Sequence, residues 1–278
     1  MTINGLMLGL VYSLIALGLT LVFGVMRIVN FAHGELYMLG AFITYYLYGE
    51  WKLNFVLTLL IAVLAMGVLG IIIERVFLKN LRAEFMASFI VTLGLATFLQ
   101  SAALLAFGLS EKGVPAVLPG VVRFAGVSLS LERLMLIPVS LALIIAVSLY
   151  VQKTRAGRAM QAVSSDPEAA ALYGVNIART SSLCMAVGCA LAGAAGALIA
   201  PVFSVNPHMG EDPLFKGFII IVVGGLGSIP GALLAGIMLG CLEAFGTTLF
   251  GAPIAYIMSF LVLIGFLLFR PRGFFGKV

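Results

Sequence analysis

The sequence predicts an all-α polytopic membrane protein of about eight to nine crossings, including a broken, glycine-rich hairpin near residues 217–249. Three observations carry that expectation. Of the 278 residues, 62% are hydrophobic and only 10% charged, with a mean hydropathy of +1.19, a balance foreign to soluble domains. Uncharged stretches of bilayer-spanning length recur from one end of the chain to the other. Basic residues gather in the connections between those stretches, where they set membrane topology. The chain reads as a single transmembrane domain over 1–278.

The first uncharged run is 5–26. Met1-Thr2-Ile3-Asn4 has no basic region and no A-x-A-like cleavage site follows soon after, so the run is expected to be a retained span and not a signal peptide. The second run, 36–49, is short alone and extends back through Phe31-Ala32-His33-Gly34-Glu35. Further runs follow at 54–73, 85–109, 134–151, 180–203 and 251–269. Residues 217–249 are too long for one straight span and are interrupted by Gly224-Gly225-Leu226-Gly227-Ser228-Ile229-Pro230-Gly231. Two helical pieces around a non-helical turn are expected, and irregular backbone at membrane depth must be buried in protein or line a water-filled cavity.

The 16 basic and 11 acidic residues give a net charge of +5. In a soluble chain that excess would suggest nucleic acid; here it fixes orientation. Arg27, Arg75, Lys79, Arg82, Lys153, Arg155, Arg158, Arg179, Arg270, Arg272 and Lys277 can share one side, eleven of the 16. Lys52, Lys112, Arg123, Arg133 and Lys216 then face the other, which places the N-terminus outside and the C-terminus inside if 217–249 crosses twice. Asn206-Pro207-His208-Met209-Gly210-Glu211-Asp212-Pro213 and Lys216 read as a solvated outer connection. The outer loop 110–132 alternates as Val121-Val122-Arg123-Phe124-Ala125-Gly126-Val127-Ser128-Leu129-Ser130, two short strands around Ala125-Gly126. It is either part of a docking surface for an outside partner or an ordinary folded loop. Small residues crowd 188–196 and 236–240 and let helix backbones approach closely, within the subunit in preference to between subunits.

Little here points to enzymatic chemistry. Gly108 and Gly113 have the glycine spacing of a phosphate-binding loop, but Val114 stands where the lysine belongs. His33 and His208 are far apart, and no Gly-x-Ser-x-Gly elbow occurs. Cys184, Cys189 and Cys241 lie in apolar runs with no metal spacing, as buried inert thiols do. Two intramembrane carboxylates stand out, because such groups mark functional sites unless they are paired or hydrated. Glu35, with Asn30 and His33, opens the second span; the bland reading has it at the interface near Arg27. Glu243 lies late in the broken hairpin and faces either an aqueous cavity or a polar group on a neighbouring helix.

The long polar interruption 152–180 is the cytoplasmic loop. Within it, Asp166 suits an N-cap, Pro167 the first helical position and Glu168 the positive helix end, while Gly174 suits a stop. The expected element is a helix of about two turns, roughly 10 Å long. Glu168-Ala169-Ala170-x-x-x-Gly174 resembles the EAA motif of bacterial ABC importer permeases, in which this loop docks the cytoplasmic ATPase. The usual isoleucine ten residues after the glycine is Cys184 here, so that match is partial.

Longer blocks are more specific. Gly9-Leu10-Val11-Tyr12-Ser13-Leu14-Ile15-Ala16-Leu17-Gly18-Leu19-Thr20 and Asn30-Phe31-Ala32-His33-Gly34-Glu35-Leu36-Tyr37-Met38-Leu39-Gly40 are similar to the branched-chain amino acid ABC transporter permease family, LivH type. Gly157-Arg158-Ala159-Met160-Gln161-Ala162 before Asp166-Pro167-Glu168-Ala169-Ala170 fits its coupling loop, and 223–232 its late glycine-rich turn. The resemblance implies a multi-pass permease of the bacterial inner (cytoplasmic) membrane that moves leucine, isoleucine and valine. It further implies a second homologous permease, two cytoplasmic ATPases that bind the ATP and Mg, an external substrate-binding protein, and no cofactor in this chain. Gly157, Arg158, Asp166, Pro167, Glu168, Ala169, Ala170 and Gly174 would couple to the ATPases. Asn30, His33, Glu35, Gly224, Gly225, Gly227 and Glu243 are the candidates for the substrate path or its gate. Urea and short-chain amide permeases share much of the pattern; a membrane-embedded enzyme using Glu35, His33 or Glu243, or a passive channel, are the other classes.

Overall fold

The computed structural model describes residues 2–81, 84–124, 127–270 and 273–275. Arg82 of the basic cluster, the Ala125-Gly126 turn of the outer loop, and Arg272 and Lys277 of the tail lie outside them. The helices are α1 (Thr2–Met26), α2 (His33–Thr44), α3 (Phe55–Ile73), α4 (Phe85–Phe107), α5 (Leu131–Lys153), α6 (Arg155–Ser165), α7 (Pro167–Leu172), α8 (Ile177–Ile199), α9 (Glu211–Gly224), α10 (Ile229–Phe250) and α11 (Ala252–Phe269). α2 and α3 each end in a π-helical turn, Tyr45–Glu50 and Glu74–Leu78. β1 (Val121–Phe124) pairs antiparallel with β2 (Val127–Ser130), with Val121 opposite Ser130, as the alternation in that loop predicts.

Among the described residues, seven helices are long and apolar enough to cross a membrane: α1, α3, α4, α5, α8, α10 and α11. The glycine-rich interruption is a turn at 225–228 between α9 and α10. α9 begins at Glu211, so the non-helical part of the expected outer connection is 206–210; His208, Glu211 and Asp212 are exposed as expected, but Lys216 sits inside the helix, buried. The sequence reading failed there because Pro213 and the two acids before it look like a loop. They are the first turn of a helix, where proline and negative charge are both favoured.

α1 is the hub. It packs against α10, α8, α9 and α5, and most of its length is buried. The α1–α10 contact is backbone against backbone: a Cβ at Gly9 would lie 2.7 Å from Ile237 Cα and 2.8 Å from the Gly236 oxygen. Such closeness is how helices gain dispersion energy in lipid, where apolar side chains gain nothing by leaving the solvent. The small residues at 188–196 and 236–240 thus pack inside the chain, against α1, α2 and α3.

Because α1 runs the length of the bundle, its residues mark depth. α2 starts beside the middle of it: a Cβ on Gly18 would lie 2.7 Å from His33 Nε2. The start of α9 lies against the start of α2, with Gly34 and Gly210 in backbone contact, and Gly217 then passes Ile15 and Leu19. Both short helices therefore begin within the bundle and are preceded by non-helical chain, 27–32 and 200–210. That irregular backbone is covered by protein, as membrane depth demands. Arg27, at the turn out of α1, takes a left-handed φ of 54°.

The two ends of the bundle differ. At one end Gly24 approaches Ser164 of α6, Ser182 donates to Glu74 Oε2 (2.5 Å), and the tail closes the α9–α10 turn through Phe274 N–H to the Val223 oxygen (2.8 Å). Lys79, Lys153, Arg155, Arg158, Arg179 and Arg270 flank these elements. At the other end Lys112 pairs with Val205 through the backbone and stands over the Tyr45 ring, and Arg133 Nη1 donates to Asn4 Oδ1 (3.1 Å).

The hub makes a stability prediction. Gly9→Val forces α1 away from α10, an overpacking cost of about 1–3 kcal/mol, and is expected to lower the melting temperature of the purified protein. Gly94→Val in α4, whose Cβ meets nothing within 4 Å, is expected to leave it unchanged; equal melting of the two variants would contradict the hub.

Candidate functional site

A cavity of about 640 Å³ opens between α1, α9, α10 and the start of α11, at the end of the bundle that carries Arg133 and Asn4. Its floor is polar. Lys216 Nζ, from α9, donates to Glu243 Oε1 of α10 at 2.6 Å and to the Tyr12 hydroxyl of α1 at 2.9 Å. Lys216 also stands 4.8 Å from the centre of the Tyr12 ring. Three helices are therefore tied together by one ammonium group, which is only 5% exposed. An isolated charge at this depth costs several kcal/mol, so the pair exists because each member removes the other's penalty. Glu243 Oε2 has no hydrogen-bond partner among the described residues.

Asp212 lines the same cavity one helical turn before Lys216, on the same face of α9. Tyr37 of α2 also lines it, 4% exposed, with no hydrogen bond from its hydroxyl among the described residues. Met7, Leu8, Val11, Phe203 and Met209 give the cavity an apolar wall. Of this site the sequence reading found only Glu243. Asp212 is exposed, as expected, but into this cavity, whereas Lys216 is buried; their i,i+4 spacing, at the head of the apolar run Phe218-Ile219-Ile220-Ile221, is the available signal. Tyr12 and Tyr37 sit in quoted motifs, but nothing in the sequence marks which tyrosine faces a cavity.

The other path candidates lie elsewhere. Asn30 is buried; its Oδ1 accepts from Ala32 N–H (3.1 Å), holding the bend that starts α2. His33 is fully buried between α1 and α8, and neither ring nitrogen has a hydrogen-bond partner among the described residues. Glu35 is buried too, with Oε2 unpartnered, so the interfacial reading near Arg27 is incorrect: α2 starts inside the bundle and carries Glu35 with it. Gly224, Gly225 and Gly227 form the turn at the opposite end from the cavity, closed by the chain's tail. The structure thus separates these residues from Glu243.

At that same end lies α7. Asp166 Oδ1 accepts from Glu168 N–H (2.9 Å) and Ala169 N–H (3.0 Å), and Pro167 occupies the first turn. The helix stops at Gly174 (φ 83°), where Gly174 N–H bonds the Ala171 oxygen and Val175 N–H the Ala170 oxygen, the paired closure typical of a glycine stop. The cap and the stop are as the residue pattern 166–174 predicts. A second helix, α6, was read as loop: Thr154 caps it by accepting from Gly157 N–H (2.9 Å), and Gly157, Met160 and Val163 form its buried face. Ala170 is α7's inward contact, whereas Leu172 and Tyr173 are 89% and 90% exposed.

Comparison with known proteins places these features in context. The family described as branched-chain amino acid transport system / permease component matches residues 1–267. The high-affinity branched-chain amino acid transport system permease protein BraD of Pseudomonas aeruginosa is 37% identical over 290 aligned residues, covering 99% of this chain and 94% of that protein. The LivH permease proteins of Escherichia coli K12 and Salmonella typhimurium, named for the same transport system, are 33% and 32% identical with the same coverage. No solved structure matches the chain.

The floor yields a test by double substitution. Lys216→Met or Glu243→Gln alone leaves a charge or its partner unmatched and is expected to destabilise the fold by about 3–5 kcal/mol. The double variant is expected to melt above either single one. A double variant that melts below both would show that the pair does not balance itself.

Proposed function

The chain belongs to the family of branched-chain amino acid transport system permeases, and from that premise we propose that it is the membrane-spanning subunit of an ABC importer for leucine, isoleucine and valine. It is a multi-pass protein of the bacterial inner membrane. A second homologous permease packs beside it, two cytoplasmic subunits bind and hydrolyse ATP with Mg, and an external binding protein delivers the substrate. The chain itself holds no cofactor. The end bearing α6, α7 and the basic residues is cytoplasmic, and the cavity opens outward. With 27–50 and 200–224 each counted as one traverse, the chain crosses nine times as a single domain.

The observation that carries this reading is α7. Two large apolar side chains, Leu172 and Tyr173, stand almost wholly exposed beside charged Asp166 and Glu168 at the basic end of the bundle. They project from a helix clamped by a cap and a glycine stop, so a push on them moves a rigid body. Gly157 fixes that body to the spans: a Cβ there would strike the backbone of Tyr150 and Val151 at the end of α5. Closure of the ATPase pair thus reaches α5 and α8 through α6 and α7. Arg158, exposed on α6, adds charge to the docking face.

The substrate passes from the cavity down between α1 and α9. Asn30, His33 and Glu35 form the pivot on which α2 starts, and the 224–227 turn with the tail is the inner seal. Transport requires both to shift. Glu35→Gln is accordingly expected to lower maximal leucine uptake while the ATPase subunits still co-purify.

The docking role is tested at the surface. Leu172→Ser with Tyr173→Ala removes contacts that nothing inside the chain uses, so the protein is expected to insert and fold normally. Loss of two apolar anchors costs about 2 kcal/mol or more at an interface, and co-purification of the ATPases and uptake of radiolabelled leucine are both expected to fall. Gly174→Val, forced into a left-handed backbone at roughly 1–2 kcal/mol, is expected to act the same way. Normal uptake in both variants would remove α7 from the coupling path.

A further inference from the structure

We propose that Asp212 receives the α-ammonium group of the transported amino acid, with the Tyr37 hydroxyl beside it, on the closed Lys216–Glu243 floor of the outward cavity. This assignment rests on the importer reading and names the substrate contact within it.

The charges lining the cavity carry the argument. Lys216 and Glu243 neutralise one another across 2.6 Å. Arg133 stands at the mouth, held by Asn4. Asp212 makes no ion pair among the described residues, although it lies with Tyr12, Tyr37 and Tyr256 close enough to interact electrostatically with all three. The cavity therefore carries one exposed carboxylate without an ionic partner among the described residues, with the Tyr256 hydroxyl in reach of it. Such a place attracts a small cation.

The polar group that completes the site is Tyr37. It is 4% exposed, lines the cavity, and its hydroxyl makes no hydrogen bond among the described residues. A hydroxyl that opens into the cavity and has no protein partner can bond a polar group of whatever fills it. The volume, about 640 Å³, lies in the ~300–1,000 Å³ range of small-molecule sites. The apolar wall of Met7, Leu8, Val11, Phe203 and Met209 suits a branched aliphatic side chain, while Arg133 at the mouth is placed for the carboxylate. A neutral amide such as urea can donate N–H bonds to Asp212 but brings neither a positive charge nor an apolar side chain, so the site favours a zwitterion with an apolar side chain.

The experiment uses the complete importer, with its partner permease, ATPases and binding protein, in proteoliposomes. Leucine uptake and ATP hydrolysis stimulated by the loaded binding protein are measured together for wild type, Asp212→Asn and Asp212→Glu. Asp212→Asn is expected to cut leucine uptake roughly tenfold or more, the loss of one charge-assisted hydrogen bond, with ATP hydrolysis retained. Asp212→Glu is expected to recover part of the uptake. Undiminished uptake by Asp212→Asn overturns the assignment and leaves the importer reading intact. Parallel loss of hydrolysis and uptake, unrelieved in Asp212→Glu, also overturns it, since that is the mark of a structural residue. Failure of the wild-type importer to take up leucine overturns the importer reading itself.

Discussion

A charge or an open backbone group below the membrane surface has no water to turn to, and the architecture of this chain answers that constraint at each point. α1 can be the hub of the bundle because its glycines let α10 and α8 approach to backbone contact. With α1 so enclosed, two helices can start in mid-bundle, since the irregular chain ahead of each is covered by protein. The junction of Gly34 with Gly210 brings those two starts together. α9, starting there, then presents Lys216 to α1 and α10 at once. The ion pair is thus a consequence of where α9 begins, and the cavity is the space above it that the shortened helices leave unfilled.

This arrangement separates tasks along the membrane normal. The cavity and its charged floor lie toward one end. The glycine turn and the tail that closes it lie at the other, beside α6 and α7. Between them runs a continuous wall of α1, α8 and α10 that contains few soft elements. The short helices lie between the two ends, their starts in close glycine contact. Asn30 holds the start of α2 through the Ala32 N–H. In the same region the ring nitrogens of His33 and Oε2 of Glu35 are buried without a hydrogen-bond partner among the described residues.

Much of this was legible in the sequence. Apolar run length located six of the seven long helices closely, because hydrophobic length is a direct consequence of bilayer thickness. The residues 166–174 gave α7 to within a residue, because caps and stops are local chemistry. The strands at 121–130 followed from alternation. What failed shares a physical cause. Lys216 reads as solvated by its charge alone, and Glu35 as interfacial by its position near Arg27, yet both are buried. Whether a charged residue at the edge of an apolar run faces water or protein is decided by tertiary packing, here by a helix that starts inside the bundle, and no local pattern encodes that. α6 was missed for the opposite reason: its buried face of Gly157, Met160 and Val163 is short, and its basic residues dominate the composition.

The central claim is that the cavity above Lys216 and Glu243 is the outward section of the transport path. Thr247 lines it, exposed, on α10. In a chain lacking the three native cysteines, Thr247→Cys in the assembled importer should react with a membrane-impermeant thiol reagent added from outside, and leucine uptake should stop as it reacts. Reaction only after the membrane is permeabilised, or complete reaction with uptake unchanged, would contradict the account.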